Sequence, residues 1–253
     1  MDSRIKDSCG VLYVATGDEY IQEAVRSSLS VQSYGVKTAI FCDRVGIAEN
    51  SFDYVYKIDN PEYGFVDKIK PLKKTPFKNT LFLDTDTVVV EDIKDIFFLT
   101  KKYELCFSHA PIRKNGRYCS EDVPSPFVQP NTGVILYKKC EKLNRFFKSW
   151  KKIHRRNLSS IDPPPNDQEA FREAVWENDL KIYTLPPEYN LRTKFSYFIG
   201  GRSSVKILHG REEELKDREK IEDLSTGFSP VVSPVEETYE EVYERFGLRT
   251  LVK

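Results

Sequence analysis

Two carboxylates one residue apart, Asp84 and Asp86, sit inside the run Leu-Phe-Leu-Asp-Thr-Asp-Thr-Val-Val-Val at 81–90. An apolar, β-branched run of this length reads as a buried strand. A bare carboxylate is costly to bury, so acids in such a place are solvated or meet a cation. Residues i and i+2 of an extended chain share one face. Asp84 and Asp86 can therefore offer two hard oxygen ligands to Mg²⁺ or Mn²⁺. In an open α/β sheet, ligands bind outside the carboxyl ends of strands. The same residues also suit an Asp-rich turn that closes a strand, and this segment alone does not separate the two.

The flanking sequence supplies the elements that would hold the pair. Residues 11–15 read as a strand, and Thr16-Gly17-Asp18 as a turn and helix cap. Tyr20, Ile21, Ala24, Val25 and Leu29 then recur at helical spacing, with Gly35 as the stop. A strand at 36–42 completes a βαβ unit of the kind that begins a nucleotide-binding sheet. Further along, the pattern predicts a strand at 53–58, a helix at 66–72 weakened by Pro71, and the strand 81–90. A helix at 93–99 and a strand at 104–108 follow. Residues 111–130, rich in Pro, Gly, Ser and charge, read as a long loop of the functional kind. A strand at 132–137 precedes an amphipathic helix marked by Leu143, Phe146, Phe147, Trp150 and Ile153. A Pro-rich connector at 159–166, a helix at 167–176 and short strands at 182–185 and 205–208 come next. A charged helix at 212–222 and a last helix carrying Val235, Tyr239, Val242, Tyr243 and Phe246 complete the chain.

Composition narrows the partners. Lys plus Arg and Asp plus Glu are both 39 in 253 residues. An electrostatic nucleic-acid binder carries a basic excess, so nucleic acid is not expected. Cys9, Cys42, Cys106, Cys119 and Cys140 form no CxxC pair and are widely spaced. That argues against a disulfide framework or zinc ribbon and for a reducing compartment. The first seven residues are polar and lack a signal-peptide core. No apolar stretch approaches the roughly 20 residues of a membrane helix. The chain reads as soluble and cytoplasmic, with peripheral membrane association left open.

Several landmarks follow one another in order: Thr16-Gly17-Asp18-Glu19-Tyr20, Lys68, Asp84-Thr85-Asp86, Asn131-Thr132-Gly133, Asp167-Gln168, Tyr189-Asn190 and His209-Gly210-Arg211. This ordered set resembles the glycosyltransferases of the glycogenin type, family 8, over residues 11–211. The resemblance implies a GT-A fold, a single Rossmann-like nucleotide-binding domain with a mixed central sheet flanked by helices. It implies one unit over 1–253: a nucleotide-binding half at 8–110, a sugar and acceptor half at 111–225, and a C-terminal packing helix at 226–253. The implied activity is metal-dependent transfer of a hexose from a nucleotide-diphosphate donor, UDP above others, to an acceptor the sequence does not identify. Retention of anomeric configuration by a front-face route, with no dedicated base, is also implied.

The same resemblance implies roles for single residues. Thr16, Gly17 and Tyr20 would hold the base, with Tyr20 stacking on uracil; alone, Tyr20 reads equally as a core-facing helix residue. Lys68 would reach the donor, although one Lys among Lys68, Lys70, Lys73 and Lys74 is more often a surface charge. Asp84, Asp86 and His209 would hold the metal, and the imidazole suits Mn²⁺ better than the harder Mg²⁺. Thr85 would meet the ribose or base through its backbone. Asn131 and Gly133 would lie beside the donor sugar; Asn131 after Pro130 also suits a turn. Asp167 and Gln168 would face the sugar, with Asp167 stabilising a sugar cation or acting as nucleophile; alone, Asp167 suits a helix N-cap. Asn190 matches a further donor-site Asn. After His209 the chain departs from the family, which continues His-x-x-Gly-x-x-Lys-Pro-Trp. Here His209-Gly210-Arg211 runs into Glu-Glu-Glu-Leu-Lys, so Arg211 would take the diphosphate contact.

Two rival readings stand beside this one. The local pattern at 83–89 also resembles the first motif of haloacid-dehalogenase-like phosphatases, in which the first Asp is a nucleophile. A full βαβ unit precedes it here, and that motif normally opens its domain. The other rival is a non-catalytic nucleotide-sugar binder, since a fold does not fix a function.

Overall fold

The structure, a computed structural model, describes residues 7–110, 120–161, 165–192, 197–198, 204–211 and 231–232. The helices expected at 212–222 and 235–246, Cys119 and the prolines Pro163 and Pro164 lie outside them. Strand β1 (Asp7–Ala15) leads through helix α1 (Asp18–Gln32) to β2 (Thr38–Cys42). A short helix α2 (Val45–Ala48) precedes β3 (Tyr54–Lys57), and α3 (Val66–Leu72) precedes β4 (Phe77–Leu83). These four strands are mutually parallel. Beyond them come β5 (Thr87–Val89), a 3₁₀ helix (Lys94–Lys101), β6 (Leu105–His109) and β7 (Pro130–Lys138). Helices α4 (Glu141–Ser160) and α5 (Asp167–Glu177) follow, then β8 (Ile182–Leu185), β9 (Leu191–Arg192), β10 (Tyr197–Phe198), β11 (Ile207–His209) and β12 (Val231–Val232).

Seven strands form the main sheet in the order β3-β2-β1-β4-β7-β6-β8, with β7 antiparallel to both of its neighbours. The chain lays β2 and β3 on one side of β1 and then crosses to lay β4 on the other. Where strand order reverses in this way, a crevice opens at the carboxyl ends of the two central strands. Here those ends are Ala15 and Leu83, so Thr16 and Asp84 face the crevice.

Alternation along β1 shows how the sequence builds two cores at once. Val11, Tyr13 and Ala15 pack with Ile21, Ala24 and Val31 of α1 on one face. Leu12 points to the other face, among Phe82, Phe107, Phe146, Trp150 and Phe171. A period of two residues requires this split. Gly10 is needed for a different reason: a Cβ there would enter the Phe77 ring.

Among the described residues the expected mixed sheet and flanking helices are present, the helix expected at 93–99 as the 3₁₀ helix Lys94–Lys101, with two further local differences. The run 81–90 is not one strand. It ends in the main sheet at Leu83, turns through Asp84-Thr85-Asp86, and resumes as β5 in a separate three-stranded sheet ordered β5-β11-β9. The tail changes partner because it pairs with residues 207–209, which no local periodicity can show. At the start of α5 the N-cap is Asn166, whose side chain accepts from Gln168 N, so Asp167 is the first helical residue rather than the cap. Pro71 sits in the last turn of α3 and does not prevent the helix.

Candidate active site

A cavity of about 540 Å³ opens at the switch point, within the size range of small-ligand sites. Its lining includes Thr16, Gly17 and Tyr20 after β1, Lys68 of α3, Asp84, Thr85 and Asp86, Asn131 and Gly133 of β7, Asp167 and Gln168 of α5, and His209 and Arg211. Thus residues far apart in the chain, drawn from both halves, surround one space. Gly210 and Asn190 do not line it. Gly210 donates its N–H to the Asp86 carbonyl at 2.8 Å, and Asn190 is buried behind His209.

The acids meet His209 through sheet pairing. β11 runs antiparallel to β5, with His209 opposite Thr87. That register sets the imidazole beside the acidic turn, with Nε2 3.4 Å from Asp86 Oδ1 and 3.9 Å from Asp84 Oδ2. Ligand atoms of Asp84, Asp86 and His209 all lie within 4.8 Å of one another. Strand β7 leaves room for the ring because residue 133 is glycine. A Cβ at Gly133 would overlap the imidazole, lying 2.8 Å from Nδ1 and 2.9 Å from Nε2. Asp84 N in turn donates to the Gly133 carbonyl at 2.8 Å, tying the first acid to the same strand.

Electrostatics fit a cation at this point. Burial pushes the Asp84 carboxyl above its ordinary range; the Lys68 ammonium opposes that, and the Asp86 charge adds to it. Burial also acts to raise Asp86, but the bond to His209 and the charges of His209, Arg211 and Arg192 prevail and hold it well below the usual range. Two crowded carboxylates and an imidazole, with one carboxyl held reluctantly ionised, form a donor set that a dication would relieve. Two hard oxygens with one imidazole nitrogen suit a first-row divalent ion.

Lys68 is not the surface charge that a lone Lys suggests. It is 7% exposed and lies 2.9 Å from Asp167 Oδ2 and 3.4 Å from Asp84 Oδ1. Burial would lower its pKa, but Asp167 and Asp84 outweigh that and raise it. Asp167 is 2% exposed, and its Oδ1 accepts from the Thr132 hydroxyl at 3.1 Å. Its carboxylate is therefore neutralised from within the protein. Tyr20 is 45% exposed and not a core residue; the Arg211 guanidinium lies 5.2 Å from its ring centre. Arg211 also grips Glu23 through Nε (2.8 Å) and a terminal nitrogen (3.2 Å). Thr85 lines the cavity and donates its hydroxyl to Glu23 at 2.7 Å.

Some lining residues escape a sequence reading. Tyr63, Gly64 and Phe65 form a rim, and Asp67 secures it by accepting from Glu62 N, Tyr63 N and the Thr16 hydroxyl. Tyr63 takes a left-handed backbone (φ 53), rare for a bulky residue. Asn60-Pro61 and Gly64 mark this stretch as a turn, but nothing local points the turn at the site. Arg192 and Asn166 also line the cavity, and Glu23 holds Thr85 and Arg211; no local pattern marks these three.

The sequence matches no protein-family model, and no curated protein is similar to it. Solved structures do share its fold. An active-site mutant of LgtC superposes with a TM-score of 0.55 at 12% identity, over 89% of this chain and 92% of that one. The glycosyltransferase GlyE of Streptococcus pneumoniae TIGR4 superposes with a TM-score of 0.56 at 14% identity, over 82% of this chain. Its apo form gives the same TM-score over 83%. The match spans 56% and 55% of the two GlyE chains, about half their length. The mixed seven-stranded sheet flanked by helices is thus the GT-A architecture.

Proposed function

We propose that this chain is a metal-dependent glycosyltransferase that moves a hexose from a UDP-sugar to a hydroxyl acceptor, with retention of configuration. The observation that carries the reading is the convergence of Asp84, Asp86 and His209 on one point of a cavity that also holds Lys68 and Arg211. A GT-A architecture shared with a glycosyltransferase supports it. The domain reading follows: residues before and after 110 build one site, which supports a single unit. No helix among the described residues is long and apolar enough to cross a membrane, and the free cysteines Cys9, Cys42, Cys106 and Cys140 are in keeping with a cytoplasmic setting.

Breaking the anomeric bond leaves positive charge on the sugar and negative charge on the departing diphosphate. In this reading Asp84, Asp86 and His209 hold Mn²⁺, with Mg²⁺ as the alternative ion. When bound, the ion supplies Lewis-acid stabilisation of the leaving group. Arg211 reaches the same place from the far side of Asp86 (3.8 Å) and adds a guanidinium suited to phosphate. Tyr20, Thr16 and Gly17 offer a wall for the base. Lys68 is fixed against Asp167 and both are almost fully buried, so the pair presents a positioned dipole to the sugar. That pairing favours an electrostatic role for Asp167 over a nucleophilic one. Asn131, Gly133 and Gln168 complete the sugar side.

The phosphatase reading asks for a nucleophilic Asp in a motif carried by the first strand of its domain. Asp84 follows the fourth strand in the chain and faces Lys68 and His209. A melting-temperature screen of nucleotides and nucleotide-sugars, with and without Mn²⁺, tests the donor class. Ligand at 100 times its Kd stabilises by about 2.7 kcal/mol. UDP-specific stabilisation that needs Mn²⁺, together with slow UDP release from a UDP-hexose, is the expected result. Stabilisation without turnover on any acceptor would favour the binder, and aryl-phosphate hydrolysis would favour the phosphatase.

A further inference from the structure

Four side chains form a hydrogen-bonded line along the cavity: Asn131, Gln168 and His209 line it and Asn190 lies behind them. Asn131 Nδ2 lies 3.2 Å from Gln168 Oε1, Asn131 Oδ1 lies 2.9 Å from Asn190 Nδ2, and Asn190 Oδ1 lies 2.7 Å from His209 Nδ1. Amide ends and imidazole tautomers are normally assigned from the network rather than seen. Here one donor cannot be reassigned. The backbone N–H of Gly133 points at Asn131 Oδ1 at 2.9 Å, and a backbone N–H only donates.

That single contact fixes the rest by elimination. The Asn131 atom facing Gly133 must be the oxygen, because a nitrogen there would set two donors against each other. The same oxygen meets Asn190, so Asn190 presents its NH₂ to it. Asn190 then turns its own oxygen to His209, and an amide oxygen only accepts. Nδ1 of His209 must therefore carry a proton, and Nε2 is the nitrogen that faces Asp84 and Asp86. At the other end, the Asn131 NH₂ takes up the Gln168 oxygen. This leaves the Gln168 NH₂ as the end of that side chain free to meet a ligand.

We infer that this relay sets the chemistry of both of its ends: Asn190 is the positioning residue that fixes His209 as an Nε2 ligand, and Asn131 is the positioning residue that makes Gln168 a hydrogen-bond donor to a substrate oxygen. The inference rests on the glycosyltransferase reading for what fills the cavity. It deepens that reading by linking the metal side to the sugar side through one fixed polarity. Asn190, Asn131 and His209 are each almost fully buried, so water does not compete for these bonds. A metal-bound His usually has its second nitrogen held by such an acceptor, and loss of that acceptor costs about 10–100-fold in metal affinity. The Gln168 donor suits a sugar hydroxyl or ring oxygen and does not suit a cationic or N–H-rich ligand.

Nitrogen-15 NMR of histidine-labelled protein tests this directly, because the chain has only three histidines, His109, His154 and His209. The His209 signals are identified as the pair that shifts in Asn190→Ala. We expect Nδ1 of His209 to carry a proton both in metal-free protein and with diamagnetic Mg²⁺. Loading should change Nε2 alone, and Asn190→Ala should weaken Mn²⁺, read by electron paramagnetic resonance, about 10–100-fold. An unprotonated Nδ1 in the wild-type protein overturns the relay whether or not metal binds, and so does a folded Asn190→Ala with unchanged Mn²⁺ affinity. A protonated Nδ1 whose partner Nε2 never responds to Mg²⁺ or Mn²⁺ would support the relay and count against the metal reading instead. If Asn190→Ala does not fold, His209→Gln identifies the signals and the wild-type spectrum decides.

Discussion

Gly133 makes room for the proposed metal site as much as the acids fill it, since the His209 ring lies where its side chain would be. Gly133→Ala should displace the ring from β7 and weaken Mn²⁺ at least as much as loss of an outer-shell partner does, about 10–100-fold. A calorimetric titration of folded variant against wild type reads this. Asp86 makes a separate, pH-dependent prediction. Its folded pKa is depressed, so its contribution to stability is present above the unfolded value of about 3.9 and is lost as pH falls through the folded value. In chelator-treated protein, Asp86→Asn should be less stable than wild type at pH 7, and the gap should close in strong acid. Urea midpoints measured from pH 7 downward check it, and a gap that stays constant with pH would contradict it. The buried Lys68–Asp167 pair behaves differently. Removing Lys68 leaves the buried Asp167 carboxylate uncompensated at a cost of about 3–5 kcal/mol, so Lys68→Ala should be far less stable than wild type in the same assay.

Among the elements, α4 and α5 form the platform that carries Asp167 and Gln168. Trp150 of α4 is fully buried, meets Phe171 edge to face at 4.8 Å, and donates its indole N–H to the Asp167 carbonyl at 3.1 Å. Trp150→Phe keeps most of the apolar surface but loses that one hydrogen bond, at about 0.5–1.5 kcal/mol. Trp150→Ala should cost about 3–5 kcal/mol, and chemical denaturation separates the two. The aromatic spacing that predicts α4 was legible because a helix repeats locally. So were β1, α1, β2 and β8, each of which follows a single period. The split of 81–90 into β4 and β5 was not legible, because both halves are apolar and only their partners differ. Asp167 as an N-cap was a fair local reading; Asn166 takes the cap one residue earlier, which frees the Asp167 carboxylate to turn inward to Lys68.

Across the whole molecule, the site lies where two sheets meet at the switch point of the larger one. The order of strands, rather than any one motif, brings the turn after β4, the end of β11 and the start of α5 together. The sequence order of the acid pair and most of the landmarks was legible, and these residues gather around one cavity, Asn190 and Gly210 aside, while the rim at Tyr63–Phe65 and the support from Glu23 depend on how distant segments cross. The most direct test of the account is a Mn²⁺ titration by electron paramagnetic resonance on wild type, Asp84→Asn and His209→Ala, with circular dichroism as the check on folding. One bound Mn²⁺ per chain in wild type, lost or strongly weakened in each folded variant, is the predicted result. Wild-type protein that leaves the Mn²⁺ free, or variants that bind it as wild type does, would contradict the claim that these three side chains share one ion.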